Sequence, residues 1–310
     1  LGPAGAVLGR FYALFALLMA FTMGALAQSG ALADTFAAAF ALPRYKVGLA
    51  TAVLALIILL GGVRSIAGTS TMLVPVMALL YIGGGLAVIL GNGDRLPEAM
   101  ALMVRCAFAP EAALGGALGI VTRREALRWG VARSVFSNEA GLGSAAITAA
   151  CADTDEPVKQ GLISMTGVFF DTMVICTVTG LAICCSGTLG TADGAGRPLT
   201  GAALTLRAFE TVLGPLAPWL IGVALGLFAF TSVLGCAVQA ETTASYLLGP
   251  GAVRPCRVLY GLAVFAGAVI PMATVLQLAD LANALMAFPN LVCLLLLSGE
   301  IAGECGRKER

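Results

Sequence analysis

Long runs of apolar residues, separated by short polar segments, dominate this chain of 310 residues. A helix needs about 20 predominantly apolar residues to cross the hydrocarbon core of a bilayer. The short alternating segments that mark the strands of outer-membrane barrels do not occur here. The pattern therefore predicts an all-α polytopic membrane protein, with residues 1–310 forming a single transmembrane domain.

The apolar runs predict about eight membrane elements. In chain order they are 8–32, 47–60, 72–90, an interrupted helix at 125–152, 160–185, 216–248, 258–270 and 278–297. Residues 97–128 carry arginines beside short apolar pieces, which favours a helix at the membrane interface. Residues 186–205 are rich in glycine, threonine and proline, and they are expected to form a loop outside the membrane.

Composition narrows the classes of function. The chain is 59% hydrophobic and 11% charged, with a mean hydropathy of +0.96. Its 18 basic and 17 acidic residues nearly cancel, so no nucleic-acid partner is expected. It has no histidine, which removes histidine-based catalysis, proton relays and metal sites. Without metal-ligand spacing or a nucleophile–base pair either, the chain is not expected to be an enzyme.

The nine cysteines follow no CxxC spacing, and most lie inside apolar runs. They are expected to be small buried side chains rather than disulfides or metal ligands. Those inside the runs are Cys176, Cys184, Cys185, Cys236 and Cys293.

The distribution of basic residues indicates only in part on which side of the membrane the C-terminus lies. The basic tail and the loop with Arg254 and Arg257 fall on one side of the membrane, and the uncharged loop near Pro271 falls on the other. This favours a cytoplasmic C-terminus in a cell membrane. The arginines of 105–128 would then lie outside, so the positive-inside rule alone leaves the orientation open. The chain begins at Leu1 without a methionine or a signal peptide, and a missing N-terminal part is one expectation.

The interrupted helix is the first candidate site. It reads VARSVFSNEAGLGSAAITAACA, where a polar triplet and paired glycines separate two helical halves. Glycines let the backbone leave helical geometry, and the freed amides and carbonyls then need partners. Broken helices of this kind hold substrates and ions in secondary transporters. The alternative is a short loop at the membrane surface, with Asn138 and Glu139 solvated.

Two further places put polar groups at membrane depth. Thr231 and Ser232 are adjacent hydroxyls that can serve as hard oxygen ligands for sodium. Their alternative role is hydrogen bonding to carbonyls of the preceding helical turn, which is favoured for the pair taken alone. Asp171, beside Thr172, lies in the middle of a span, either near a polar cavity or paired with an arginine.

The segment GVARSVFSNEAGLGSAAITAA resembles the signature of the alanine or glycine:cation symporter family, which are sodium-coupled carriers of small neutral amino acids. Further similarities run along the chain in family order: LIILLGGVRSIA, VPVMALLYIGGGLAVI, QGLISMTGVFFDTMVICTVTGLAI, FAFTSVLG and ADLANALMAFPNLVCLLLLS. The resemblance implies a LeuT-type inverted-repeat transporter fold that lacks the first helices, among them the other broken helix. It also implies a cytoplasmic C-terminal tail.

The resemblance also implies a site, residue by residue. Its substrate-binding positions are Phe21, Gln28, Phe136, Asn138, Glu139, Gly141, Ser232 and Cys236, and its sodium-binding positions are Thr231 and Ser232. Cys236 stands where the family usually has a bulky aromatic, which predicts a wider pocket than in alanine-selective relatives. The hydroxyl order Thr-Ser is reversed relative to the family, and the asparagines usual beside Gln28 are missing.

The function implied is sodium-coupled symport of a small neutral amino acid, alanine or glycine in type, by alternating access in the lipid bilayer. Sodium is the coupling ion, and no other cofactor or metal is expected. The alternative is a truncated remnant without transport activity, because sodium held only by Thr231 and Ser232 would lack its other oxygens. The 310-residue chain alone is accordingly not expected to carry out coupled transport. A channel is disfavoured, since no segment resembles a selectivity filter.

Overall fold

The computed structural model of the protein describes residues 2–108, 123–192, 194, 196 and 198–307. This part of the chain is helical and contains no strand, apart from an isolated bridge between Ala192 and Pro198. The helices in chain order are α1 (Gly2–Met19, continued by Ala20–Ala27 and Gln28–Phe40), α2 (Arg44–Leu60), α3 (Gly62–Gly91), α4 (Leu96–Phe108), α5 (Arg123–Asn138), α6 (Ser144–Ala149), α7 (Pro157–Phe169, continued by Phe170–Cys176 and Thr177–Ser186), α8 (Gly201–Leu213), α9 (Pro218–Gly222, continued by Val223–Leu248), α10 (Val253–Gly267) and α11 (Met272–Arg307).

Five of the described helices are long and apolar enough to cross a membrane. They are Gly5–Phe40, Gly62–Gly91, Pro157–Ser186, Pro218–Leu248 and Met272–Gly303. The prediction of an all-helical polytopic membrane protein is thereby confirmed. Helices α2 and α10, with 17 and 15 residues, are shorter than these five. The expected total of about eight membrane elements stays a prediction.

The structure corrects one expectation about the connecting segments, and part of a second lies outside the described residues. The predicted loop 186–205 is wrong at its end, because α8 begins at Gly201. The apolar residues of α8 are spaced three and four positions apart, and Leu206 and Phe209 among them are buried. Polar residues interspersed along α8 make this pattern hard to recognise in the sequence. The segment 97–128 begins as helix α4, whose position at a membrane interface stays a prediction, and residues 109–122 lie outside the described residues.

Helix α9 is the most enclosed of the five long helices, with 61% of its most hydropathic window buried. One face packs with α1, α2 and α10 around Val233, Leu234 and Tyr260. The opposite face packs with α3, α7 and α8 around Phe209 and Ile221. Alanine, glycine, serine and threonine are frequent along α9, and such small side chains let neighbouring membrane helices approach closely. Most side chains along the middle of α9 therefore contact another helix, whereas Trp219, Tyr246 and Leu248 near its ends are exposed.

Three of the long helices contain a π-helical segment: Ala20–Ala27 in α1, Phe170–Cys176 in α7 and Pro218–Gly222 in α9. A π-helical turn holds more residues than an α-helical turn, and such segments are frequent at functional sites. The segments in α1 and α7 contain Phe21 and Asp171, which the sequence singled out for other reasons. Both residues thus lie where the regular helix is locally interrupted.

The cysteines of the described residues are free thiols. Cys185 and Cys236 are buried, as expected from the apolar runs, and Cys184 and Cys293 are partly buried. Cys176 is exposed, so the expectation of burial is wrong there. Its sulfur lies 3.9 Å from the Ser137 hydroxyl, at the edge of a polar cleft rather than in a packed core.

An ion pair links α9 to α10. Arg257 donates two hydrogen bonds to Glu241, from Nε to Oε1 at 2.7 Å and from Nη2 to Oε2 at 2.8 Å. The two side chains are 20% and 10% exposed. Bidentate pairs of this kind are among the stronger charge-assisted hydrogen bonds. Removing one partner would leave the other charge buried and unpaired.

We expect Arg257→Met to lower the thermal unfolding midpoint of the purified protein in detergent, by a loss of about 3 kcal/mol. Arg207→Met is the matched control, because Arg207 and Glu210 form an exposed pair with side chains 61% and 35% exposed. It should cost less than about 1 kcal/mol. Equal effects of the two substitutions would contradict a structural role for the α9–α10 pair.

Candidate functional site

The interrupted helix is broken between α5, which ends at Asn138, and α6, which begins at Ser144. Glu139, Gly141 and Gly143 have φ angles of 53°, 82° and 83°. Glycine adopts this left-handed region readily, whereas glutamate rarely does, so Glu139 holds a strained backbone. The predicted break is confirmed, and the structure shows that Glu139 itself takes part in it with left-handed backbone.

One side of the break packs against the helix bundle, while Ala140 and Ala145 on its other side are exposed. Leu142 and Ser144 are 1% and 0% exposed. Leu142 joins a cluster with Met19 of α1 and Met286 of α11. The Gly141 carbonyl, which the break frees from helical pairing, accepts a hydrogen bond from Asn290 Nδ2 of α11 at 2.9 Å. This packing favours a break enclosed by other helices over a solvated surface loop.

The side chains of Asn138 and Glu139 stabilise the break locally. The Asn138 Oδ1 atom accepts a hydrogen bond from the Ala140 amide at 2.9 Å. The Glu139 carboxylate accepts a hydrogen bond from the Ser144 hydroxyl. The Gln239 side-chain amide of α9 also approaches this carboxylate. Glu139 therefore points from the break towards α9.

A polar cleft lies on the other side of the break. Ser137 Oγ donates a hydrogen bond to Asp171 Oδ2 of α7 at 2.7 Å. The cleft has a volume of about 500 Å³, and its polar lining is Ser137, Asn138, Thr148, Gln160, Ser164 and Asp171. Of the two environments considered for Asp171, the polar cavity is the one observed. The structure thus joins two candidate sites that lie far apart in the sequence.

Phe136 lies one turn before the break, held by a charged neighbour. Arg133 stacks over the Phe136 ring, with its guanidinium carbon 5.0 Å from the ring centroid. The same guanidinium binds Asp280 of α11, with Nη2 2.6 Å from Oδ2. Phe136 is partly buried against the cluster around Leu142. An arginine close to the break was visible in the sequence, but its partner on α11 was not.

Phe21 and Cys236 belong to the packed cluster formed by α1, α9 and α10. The Phe21 ring packs edge-on against Tyr260, with centroids 5.4 Å apart. Cys236 is 7% exposed, and Gly24 of α1 approaches it so closely that a Cβ on Gly24 would collide with it. The space beside Cys236 is therefore occupied by the backbone of α1. Gln28 is partly buried at the point where the π-helical segment of α1 ends. The wider pocket stays a prediction.

The adjacent hydroxyls Thr231 and Ser232 point in different directions. Thr231 Oγ1 donates to the carbonyls of Leu227 and Phe228, each at 3.0 Å, and lies 3.8 Å from Met77 Sδ of α3. Ser232 is partly buried, on the same helical face as Cys236. Ser232 therefore lies on the break side of α9, whereas Thr231 makes the helical back-bonds and faces α3.

We expect Gly143→Ala to destabilise the break. A Cβ at this position would lie 2.5 Å from Asn290 Oδ1 and 2.8 Å from the Tyr12 hydroxyl, at a φ of +83°. The left-handed backbone alone costs an alanine about 1 kcal/mol. The thermal unfolding midpoint in detergent should fall clearly.

The control is Gly130→Ala in α5, where a Cβ would meet no atom within 4 Å. Alanine favours a helix over glycine by about 1 kcal/mol, so this variant should keep or raise the midpoint. If both variants unfold at the wild-type temperature, the close packing around Gly143 is not a constraint on the fold.

Comparison with known proteins places these features in context. The sequence model of the sodium:alanine symporter family matches residues 2–306. The sodium/alanine symporter AgcS of Methanococcus maripaludis is 38% identical over 303 residues, which are 97% of this chain and 64% of that protein. An uncharacterized transporter of Haemophilus influenzae is 41% identical over 290 residues, covering 93% and 62%. The probable sodium/glutamine symporter GlnT of Bacillus subtilis is 38% identical over 293 residues, covering 92% and 59%.

The chain thus spans about three-fifths of the length of these relatives. These relatives are named as transporters and symporters, which agrees with the expectation that the chain is not an enzyme.

Proposed function

Because the chain belongs to the sodium:alanine symporter family, we propose that it serves sodium-coupled symport of a small neutral amino acid, alanine or glycine in type. A sodium/alanine symporter and a probable sodium/glutamine symporter among its relatives support the amino-acid class. The proposal concerns the protein that contains this sequence, since the chain spans only part of its relatives' length.

The observation that carries the proposal is the enclosed break between α5 and α6. Its backbone leaves helical pairing at Glu139, Gly141 and Gly143, inside a bundle built around α9. Freed amides at such a break can hold the carboxylate of an amino acid, and freed carbonyls can hold a cation. In this proposal Asn138, Glu139 and Gly141 bind the substrate backbone.

The remaining site residues determine the size of the substrate that is accepted and couple its transport to sodium. Phe21 and Phe136 wall the substrate side chain, with Gln28, Ser232 and Cys236 completing the pocket. Thr231 and Ser232 bind sodium, which stabilises the substrate-bound state so that the ion gradient drives uptake. The protein is a LeuT-type inverted-repeat carrier that works by alternating access around a midplane site. It lies in the cell membrane with its C-terminus in the cytoplasm.

Uptake of radiolabelled alanine into proteoliposomes tests the proposal. An inward sodium gradient should drive accumulation, and replacing sodium by potassium should abolish it, because the ion supplies the driving force. Adding unlabelled amino acids of increasing size in competition measures how wide the pocket is. Uptake that ignores the sodium gradient would contradict sodium coupling, and competition by alanine alone would contradict the wider pocket.

The same assay on the 310-residue chain addresses the alternative from the sequence, a chain without transport of its own. Sodium-driven accumulation by this chain would rule the alternative out. No accumulation by this chain, beside accumulation by a longer protein that contains it, would support the alternative.

We expect Ser232→Ala to raise the sodium concentration needed for half-maximal uptake by roughly tenfold, because an oxygen ligand is lost. Ser298→Ala is the control, since the Ser298 hydroxyl is bonded to the carbonyl of Leu295 on an exposed part of α11. It should leave the sodium dependence unchanged. A wild-type sodium dependence in Ser232→Ala would remove Ser232 from the sodium site.

A further inference from the structure

The Glu139 carboxylate lies in an unusually enclosed polar environment. Its hydrogen-bond partner Ser144 is 0% exposed, and Gln239, which approaches it from α9, is 6% exposed. The Tyr12 hydroxyl of α1 and the Cys236 thiol of α9 also lie close enough to interact electrostatically with this carboxylate. Three structural elements therefore converge on a single acidic group.

Within the described part of the chain, no lysine or arginine pairs with Glu139. The four ion pairs found there are Arg44–Asp34, Arg133–Asp280, Arg207–Glu210 and Arg257–Glu241. A carboxylate at membrane depth without a counter-charge is costly, and hydrogen bonds from Ser144 and Gln239 offset only part of this cost. An ionised Glu139 would therefore need a positive charge beside it.

Two oxygens beside Glu139 are also without partners. Gln239 Oε1 and the Tyr12 hydroxyl are fully buried and make no hydrogen bond. The Tyr12 hydroxyl lies against Gly143, the residue before Ser144. Buried polar atoms normally have a hydrogen-bond partner. Two buried oxygens without such a partner, both beside one carboxylate, point to a bound ligand. A bound cation would accept lone pairs from both of these oxygens and from the carboxylate at once.

We propose that Glu139, Gln239, Tyr12 and Ser144 form a binding site for a sodium ion. A small hard cation takes carboxylate, amide and hydroxyl oxygens as ligands. The Glu139 carboxylate supplies the negative charge, Gln239 Oε1 and the Tyr12 hydroxyl supply the unpartnered oxygens, and Ser144 orients the carboxylate. We refer to these four residues as the Glu139 cage. The inference rests on the proposed function in taking sodium as the ion, and it moves Glu139 from the substrate backbone to that ion.

The Glu139 cage is separate from the hydroxyl pair on the same helix. The Thr231 hydroxyl donates to carbonyls of its own helix, and the side chain faces α3, away from the break. Glu139 and Gln239 instead connect the break directly to α9. A cation in the Glu139 cage would fasten the break to α9, so its release would free the break to move relative to that helix.

The size of the surroundings favours sodium over the ammonium group of an amino acid. The cleft of about 500 Å³ at the break is lined by Ser137, Asn138 and Asp171, on the α7 side. Glu139 instead faces α9, between side chains that are almost fully buried. An amino acid needs a cavity, whereas a dehydrated ion needs only a set of oxygens.

Binding of radioactive sodium to the purified 310-residue chain in detergent tests the Glu139 cage, without any substrate. Glu139→Gln keeps the size and hydrogen-bonding atoms but removes the charge, and it should weaken sodium binding by roughly tenfold or more. Glu300→Gln is the matched control, because Glu300 is an exposed carboxylate on α11. It should bind sodium as the wild type does.

A second variant covers the case in which Glu139→Gln fails to fold, as judged by gel filtration and thermal unfolding without sodium. Gln239→Leu removes the unpartnered oxygen at similar volume and leaves Glu139 in place. It should weaken sodium binding by a smaller factor, about threefold to tenfold. Sodium should also raise the unfolding midpoint of the wild type, and this shift should shrink in both variants, because a ligand stabilises only the state that binds it.

Three outcomes would overturn the inference. Wild-type sodium binding in folded Glu139→Gln would exclude the carboxylate as a ligand. Loss of alanine binding with intact sodium binding would assign Glu139 to the substrate ammonium group instead. Sodium binding absent from the wild type, with alanine binding that depends on pH and not on sodium, would assign a proton to Glu139. The first two outcomes leave the proposed function standing if uptake still follows the sodium gradient, whereas uptake independent of sodium would reject the proposed function itself.

Discussion

Polar groups at membrane depth have no water to bond with, and this constraint shapes the whole structure. Several polar residues that interrupt the apolar runs of this chain find a partner on another element. Arg133 binds Asp280, Arg257 binds Glu241, and Asn290 binds the carbonyl that the break releases at Gly141. Because these partners lie far apart in sequence, satisfying them fixes how the helices are arranged. In the described part of the chain, the Glu139 carboxylate has hydrogen-bond partners but no basic side chain paired with it.

Small side chains make this arrangement possible around α9. Gly24 of α1 lies directly against Cys236, and Gly226 of α9 lies against the ring of Phe36. Close approach of backbones brings polar side chains of different helices within bonding distance of one another, which longer apolar side chains would prevent. The same closeness explains why Cys236, singled out as a source of free volume, lies in packed surroundings.

The sequence allowed the helical class and the break to be predicted for clear physical reasons. Apolar runs of sufficient length mark membrane helices, and two glycines beside Asn138 and Glu139 mark a place where the backbone leaves the helix. Family resemblance then assigned roles to residues such as Phe136 and Ser232. Nothing in local sequence indicated the π-helical segments, since their extra residue is accommodated by tertiary packing. The contacts Ser137–Asp171 and Asn290–Gly141 were equally out of reach, because they join residues 34 and 149 positions apart.

The bond between Asn290 and Gly141 has a mechanical consequence. Asn290 follows Pro289, which lies inside α11 and removes one backbone hydrogen bond from that helix. The most bendable point of α11 is therefore tied directly to the broken point of the α5–α6 helix. Bending of α11 at Pro289 pulls on the Gly141 carbonyl, and straightening it relaxes that pull. The proline bend in α11 and the break between α5 and α6 are thus mechanically coupled.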